Sequence, residues 1–257
     1  MLLAVDLGNT NITIGVFEEK ELIATFRMTT KLPRTSDEYG IFICNLLQLR
    51  DIKIEQIDAV IVASVVPDMM YSLNSAIIKY FNIKPLIVNQ EIDIGIKVKT
   101  KHPAQIGADR IVDAASAYAK YGGPVIVIDF GTATTYDLVL ADGSFVGGAI
   151  APGLQTAAKS LWDASAKLPK IEIEKPESVL AKDTITSMQA GIVYGYIGQT
   201  EYIINQIKKE CALADVKVVA TGGLGAMIAE ETNTIDYYDR NLTIQGLRLI
   251  YEWNKEK

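Results

Sequence analysis

Histidine is almost missing from this chain: His102 is the single one among 257 residues. It stands beside Pro103 in a polar stretch and reads as a solvated loop residue. No Ser/His/Asp triad and no zinc site can then be assembled. Cysteine is scarce as well. Cys44 and Cys211 lie far apart in apolar helical contexts without metal-ligand spacing, so both read as reduced core thiols of a cytosolic protein. Basic residues fall short of acidic ones, 25 against 31, for a formal net charge of −6 with no basic run, and nucleic acid is not an expected partner. No apolar stretch approaches the roughly 20 residues of a membrane span. The first residues enter a strand directly, with no charged leader, so neither a secretory signal nor a membrane partner is expected and the location is cytoplasmic.

What the chain does have is one pattern written twice. After the apolar run Leu2-Leu3-Ala4-Val5 comes Asp6-Leu7-Gly8-Asn9-Thr10-Asn11-Ile12-Thr13. After Val125-Ile126-Val127-Ile128 comes Asp129-Phe130-Gly131-Thr132-Ala133-Thr134-Thr135. Each copy is a buried strand, an aspartate at its end, a glycine two residues on, and a cluster of hydroxyl and amide side chains leading into a second β-rich run. Such a repeat suggests two similar halves facing each other across a cleft. Each turn offers exposed N–H groups and hydroxyls suited to an anion. The nearby aspartate makes sense when a cation sits between it and a phosphate. A single copy would pass for an ordinary hairpin turn; two copies in the same strand context argue against that.

Taken in order, Leu2–Val5 is uniformly apolar and belongs in the centre of a sheet. Residues 12–17 and 22–27 continue it as antiparallel neighbours across the charged turn Glu18-Glu19-Lys20. Thr35 offers an N-cap to a helix over 39–49. A buried strand at 59–66, a helix over 69–81 and a short strand at 85–88 close the first half. Residues 91–105 are irregular. In the second half, strands begin at Val125 and Ser144, and Pro152-Gly153 turns into a helix over 154–162. A polar, exposed excursion over 167–182 follows, then a long helix containing Gly191, Gly195 and Gly198, for which Thr184 is a candidate cap. The last buried strand is 216–220. Thr221-Gly222-Gly223 then enters a helix, and an amphipathic helix over 242–253 ends the chain.

Between the halves lies Gly107-Ala108-Asp109-Arg110, from which Ile111, Val112, Ala115 and Tyr118 follow at helical core spacing. Asp109 and Arg110 therefore occupy a first helical turn, where free N–H groups welcome a negative substrate group. The same pair would equally serve a helix dipole and a surface ion pair.

Taken together, Asp6-x-Gly-Asn-Thr, Gly107-Ala108-Asp109-Arg110, Asp129-Phe130-Gly131-Thr132-Ala133-Thr134, the run 147–153 and Thr221-Gly222-Gly223 resemble type III pantothenate kinases, within the actin-like ATPase and sugar-kinase superfamily. The resemblance covers nearly the whole chain. It implies an α/β fold of duplicated ribonuclease H-like halves, mixed sheets flanked by helices, divided near 1–121 and 122–257 with the active site in the cleft. It implies phosphorylation of pantothenate by ATP, the first step of coenzyme A biosynthesis. ATP would be held by Asp6, Leu7, Gly8, Asn9, Thr10, Asn11, Ile12 and Thr13, and by Gly131, Thr132, Thr134, Gly222 and Gly223. Magnesium would lie near Asp6, held through water, and potassium or ammonium at Asp129. Asp109 would be the general base, with Gly107, Ala108, Arg110, Thr184 and Thr100 around pantothenate, and a homodimer is implied, with Thr184 acting within or across subunits. At Thr100 the chain departs from the pattern, since many relatives carry a Tyr there. Paired phosphate loops alone would also suit a phosphatase, a kinase with another acceptor, or a nucleotide-gated binding module. The Asp109-Arg110 pair argues against the module, which has no need of a base.

Overall fold

A computed structural model describes residues 1–30, 32–89 and 91–255. The chain forms two compact units, one built from residues 1–96, 102–116 and 241 onward, the other from 97–101 and 117–240.

The first unit is organised by β1 (Leu2–Leu7), which pairs antiparallel with β2 (Asn11–Glu18) and parallel with β4 (Ala59–Ser64). With β3 (Glu21–Thr29) and β5 (Leu86–Ile87) the sheet order is β3-β2-β1-β4-β5. A strand flanked on both sides and covered on both faces must be apolar throughout, and Leu2 to Val5 are all buried. Leu3, Val5, Leu7, Ile12 and Ile14 pack with Tyr39, Ile43 and Leu47 of α1 (Ser36–Gln48) and Leu73 and Ile77 of α2 (Pro67–Phe81). Each such side chain contributes about 1.5–3 kcal/mol on leaving water. Helix α1 starts on the expected Thr35, whose hydroxyl accepts from the Glu38 N–H while the Glu38 carboxylate accepts from the Thr35 N–H, a full capping box.

The opposite face of this sheet carries α7 (Leu242–Asn254), which packs on β1, β2 and β4. Gly15 makes the contact possible, because a side chain there would run into Ile244. Gly246 of α7 in turn lies against the Val112 carbonyl and Ser116 of α3 (Ala108–Tyr121). The C-terminal helix, grouped with the second half in the sequence reading, thus belongs to the first unit.

The second unit repeats the plan. β7 (Val125–Phe130) pairs antiparallel with β8 (Ala133–Val139) and parallel with β10 (Lys217–Thr221), and β8 pairs with β9 (Ser144–Pro152). The order is β11-β10-β7-β8-β9-β6, in which β11 (Tyr237–Tyr238) takes the place that β5 has in the first unit and β6 (Lys97–Val98) is added at the opposite edge. Both edge strands are two residues long, too short to register as periodicity. One face packs against α4 (Leu154–Ala164), α5 (Thr184–Glu210) and α6 (Gly225–Ala229) through Ile126, Ile128, Tyr136, Ala158, Val193, Ile204 and Ile228.

Two expectations are corrected. Cys211 is exposed and is not a core thiol, whereas Cys44, half-buried, packs against the first unit's core. Asp183, not Thr184, caps α5, its carboxylate accepting from the Thr186 N–H at 3.0 Å. The stretch 167–182 lacks regular structure and is mostly exposed, as expected, but it is tied to the rest of the unit. Ile171 is buried, Gln189 donates to the Glu172 carbonyl and Tyr194 to that of Pro176.

Candidate active site

In the first unit, the β1–β2 turn closes with the Gly8 N–H donating to the Asn11 carbonyl at 3.0 Å. The last registered pair is Leu7 with Ile12, so four residues form the loop. Asp6 sits opposite Thr13, and directly paired residues share a face. Gly15 and Ala4 are also paired and meet α7, and alternation puts Asp6 on that same side. Leu7 and Ile12 turn the other way into the core. Asn9 and Asn11 are exposed, and Thr10 and Thr13 half-buried.

Asp109 reaches this end of the sheet through its own helix. Val65, just beyond β4, donates its N–H to the Leu7 carbonyl at 3.1 Å. A Cβ on Gly107 would lie 3.2 Å from Val65 and 2.4 Å from Asp109 Oδ1. Only glycine lets the carboxylate fold back over residue 107 beside the strand ends. Oδ1 also accepts the Arg110 N–H at 2.8 Å. Burial pushes the Asp109 carboxyl above the ordinary carboxylate range, and the Arg110 N–H and guanidinium charge pull only partly against it. A carboxylate with a raised pKa in the first turn of a helix has the chemistry of a proton acceptor.

In the second unit, Gly131 donates to the Ala133 carbonyl at 3.1 Å, and the last registered pair is Phe130 with Thr134. A side chain on Gly131 would come within 2.9 Å of Asp129 Oδ2. Gly222 flanks the same strand end: its φ is +94°, and a Cβ would lie 2.6 Å from the backbone N, C and O of Phe130. The Tyr238 hydroxyl donates to the Gly222 carbonyl at 2.9 Å. Asp129, Gly131, Thr132, Gly222 and Gly223 therefore gather at the C-terminal ends of β7 and β10, where open α/β sheets bind ligands.

The family model for type III pantothenate kinase matches residues 2–206. This chain belongs to the type III pantothenate kinase family. A type III pantothenate kinase of Agathobacter rectalis is 57% identical over 257 residues, covering 100% of this chain and 99% of that protein. A Campylobacter jejuni structure described as a Baf-family transcriptional activator superposes with a TM-score of 0.65 at 18% identity, over 99% of this chain and 100% of that one. A Sinorhizobium meliloti structure described as a 2-dehydro-3-deoxygalactonokinase gives 0.61 at 12% identity, over 98% and 96%. These likenesses fix the fold as that of the actin-like ATPases and sugar kinases.

Against the type III pantothenate kinase motifs, Thr134 stands out. It is fully enclosed, with its hydroxyl lacking a hydrogen-bond partner, on the face it shares with Tyr136 and Leu138. Thr135, opposite Asp129 in register, takes the place that Thr13 has opposite Asp6. The second loop is one residue shorter than the first, and one residue of slip exchanges the faces of a strand. Counting residues from aspartate to strand would have exposed this. Thr100 follows β6, its hydroxyl enclosed and unpartnered. Thr184 lines an open groove of about 760 Å³ with Leu161, Lys182, Ser187, Met188 and Ile192. His102 is exposed, as expected of a loop residue.

Proposed function

We propose that this chain transfers the γ-phosphoryl group of ATP to the primary hydroxyl of pantothenate, giving 4'-phosphopantothenate, the first step of coenzyme A biosynthesis. The observation that carries the reading is Asp109, half-buried in the first turn of α3 beside the strand ends that bear the Asp6 loop. The substrate oxygen attacks the γ-phosphorus, the bond to ADP breaks, and the hydroxyl proton passes to the Asp109 carboxylate. Phosphoryl transfer depends on positioning and charge neutralisation more than on base strength, so a single carboxylate suffices. The Arg110 guanidinium pairs with the pantothenate carboxylate, a bidentate match that lysine could not reproduce. Gly107, Ala108, Thr100 and Thr184 complete the substrate contacts. The turns at Gly8–Thr10 and Gly131–Thr132 supply N–H and hydroxyl donors to the phosphates, and Gly222-Gly223 lies against adenosine.

The donor sets suit hard cations. Among the described residues, no group of three or more His, Cys, Asp or Glu could hold a metal by itself. Magnesium would be held with Asp6 as the protein's contribution and would supply charge neutralisation to the phosphates. Asp129, whose Oδ2 lies beside the glycine at 131, offers a carboxylate to a monovalent cation, potassium or ammonium. Such cations neutralise phosphate charge during transfer. No described helix is long and apolar enough to cross a membrane. A cytoplasmic homodimer fits the exposed glycines of α5 and the groove at Thr184. The test is a coupled assay over an acceptor panel: pantothenate must outpace sugars and acetate, and phosphopantothenate must accumulate.

A further inference from the structure

Both phosphate loops have backbone carbonyls tied down by a threonine that lies outside every nucleotide motif. In the first unit, Thr30, just past β3 and 6% exposed, donates its hydroxyl to the Gly8 carbonyl at 2.8 Å and its N–H to the Thr10 carbonyl at 2.9 Å. In the second, the Thr132 carbonyl accepts the Thr156 hydroxyl at 2.7 Å and the Gly153 N–H at 3.0 Å. Gly153 is there because a Cβ would lie 2.1 Å from the Gly131 carbonyl.

The consequence follows from peptide geometry. In a planar trans peptide, a carbonyl and the N–H after it point in opposite directions. Holding the carbonyls of Gly8 and Thr10 toward Thr30 turns the N–H groups of Asn9 and Asn11 away from it. Holding that of Thr132 toward α4 turns the Ala133 N–H the other way. A carbonyl facing a phosphate would repel it, whereas a fixed N–H attracts it without reorganisation.

We propose that Thr30 and Thr156 are positioning residues for ATP, fixing the peptide planes of the two loops so that donors face the phosphates. This rests on the reading of both loops as ATP-binding. Losing one such hydrogen bond lowers nucleotide affinity by about two- to tenfold, the range of a net hydrogen bond.

The test uses the full chain with Thr30→Val, Thr156→Val, their serine counterparts and Gly8→Ala. Titration calorimetry with the non-hydrolysable analogue AMP-PNP and magnesium is combined with steady-state kinetics. The expected result is weaker AMP-PNP binding and a raised KM for ATP in each valine variant. The KM for pantothenate should stay within about twofold and serine should restore binding. Thr156 is exposed on its helix, so its variant keeps the test informative should Thr30→Val unfold. Wild-type affinity in the valine variants, equal movement of both KM values, or failure of serine to rescue overturns the assignment. Gly8→Ala separates the two levels. If it weakens AMP-PNP binding while the valine variants do not, only the positioning role falls; if it too binds normally, the loop reading falls and takes the positioning role with it.

Discussion

The backbone N–H of Arg110 donates to Oδ1 of Asp109 at 2.8 Å, so the residue assigned to the substrate carboxylate also steadies the carboxylate assigned to the proton. One N–H does not offset the burial, and the carboxyl stays above its ordinary range. Pairing the two on consecutive residues of a first helical turn couples substrate orientation to base orientation.

Replacing Asp109 with Asn should lower kcat by about 10²- to 10⁴-fold, the usual worth of a positioned general base, with AMP-PNP affinity retained. A near-normal rate in a coupled ATP assay would remove Asp109 from that role.

The same carboxylate makes a stability prediction. Its folded pKa is raised above the unfolded value, so the native state holds the proton more tightly. Stability is then lost as pH rises from the unfolded toward the folded pKa, and the whole cost of burying the charge is present at neutral pH. Asp109→Asn should therefore raise the melting temperature at pH 7, and the gain should shrink on acidification. An unchanged or lower melting temperature at pH 7 would contradict it.

At the second loop, exchanging potassium for sodium should slow the wild-type enzyme. Asp129→Asn should turn over slowly in both salts, with little difference between them. Wild-type rates that ignore the cation would remove Asp129 from that task.

Gly222→Ala meets two penalties, a φ of +94° and a Cβ 2.6 Å from the Phe130 backbone. Strain of about 1–3 kcal/mol should appear as a fall in melting temperature of at least about 2 °C, with a raised KM for ATP. Thermal melts and ATP titrations together check this.

Thr35→Ala removes the hydroxyl half of the α1 capping box. It should cost about 1 kcal/mol of stability and leave the kinetic constants alone, because Thr35 touches none of the site residues named above. A change in kcat would show that α1 bears on the chemistry.

Local chemistry made much of this legible. Asp6-Leu7-Gly8 and Asp129-Phe130-Gly131 each end an apolar run, and Thr35 with Glu38 announces a helix start, all within a few residues. Thr30 and Thr156 gave no such signal, since a lone threonine after a strand or in a helix has no distinguishing neighbours until the loop it braces is folded against it. Cys211 was misplaced because the end of a long amphipathic helix looks locally like its middle.

The sequence by itself determined the repeated strand-turn-strand units, the helix that presents Asp109, and the family. These follow from adjacent residues whose burial pattern and backbone freedom are set locally. Tertiary structure decided the rest. Leu242–Asn254 packs on the first sheet, where Gly15 leaves room for Ile244, and Thr135 rather than Thr134 stands opposite Asp129. Such pairings depend on strand register and close packing between distant segments, and one residue of loop length is enough to reverse which side chains a sheet presents.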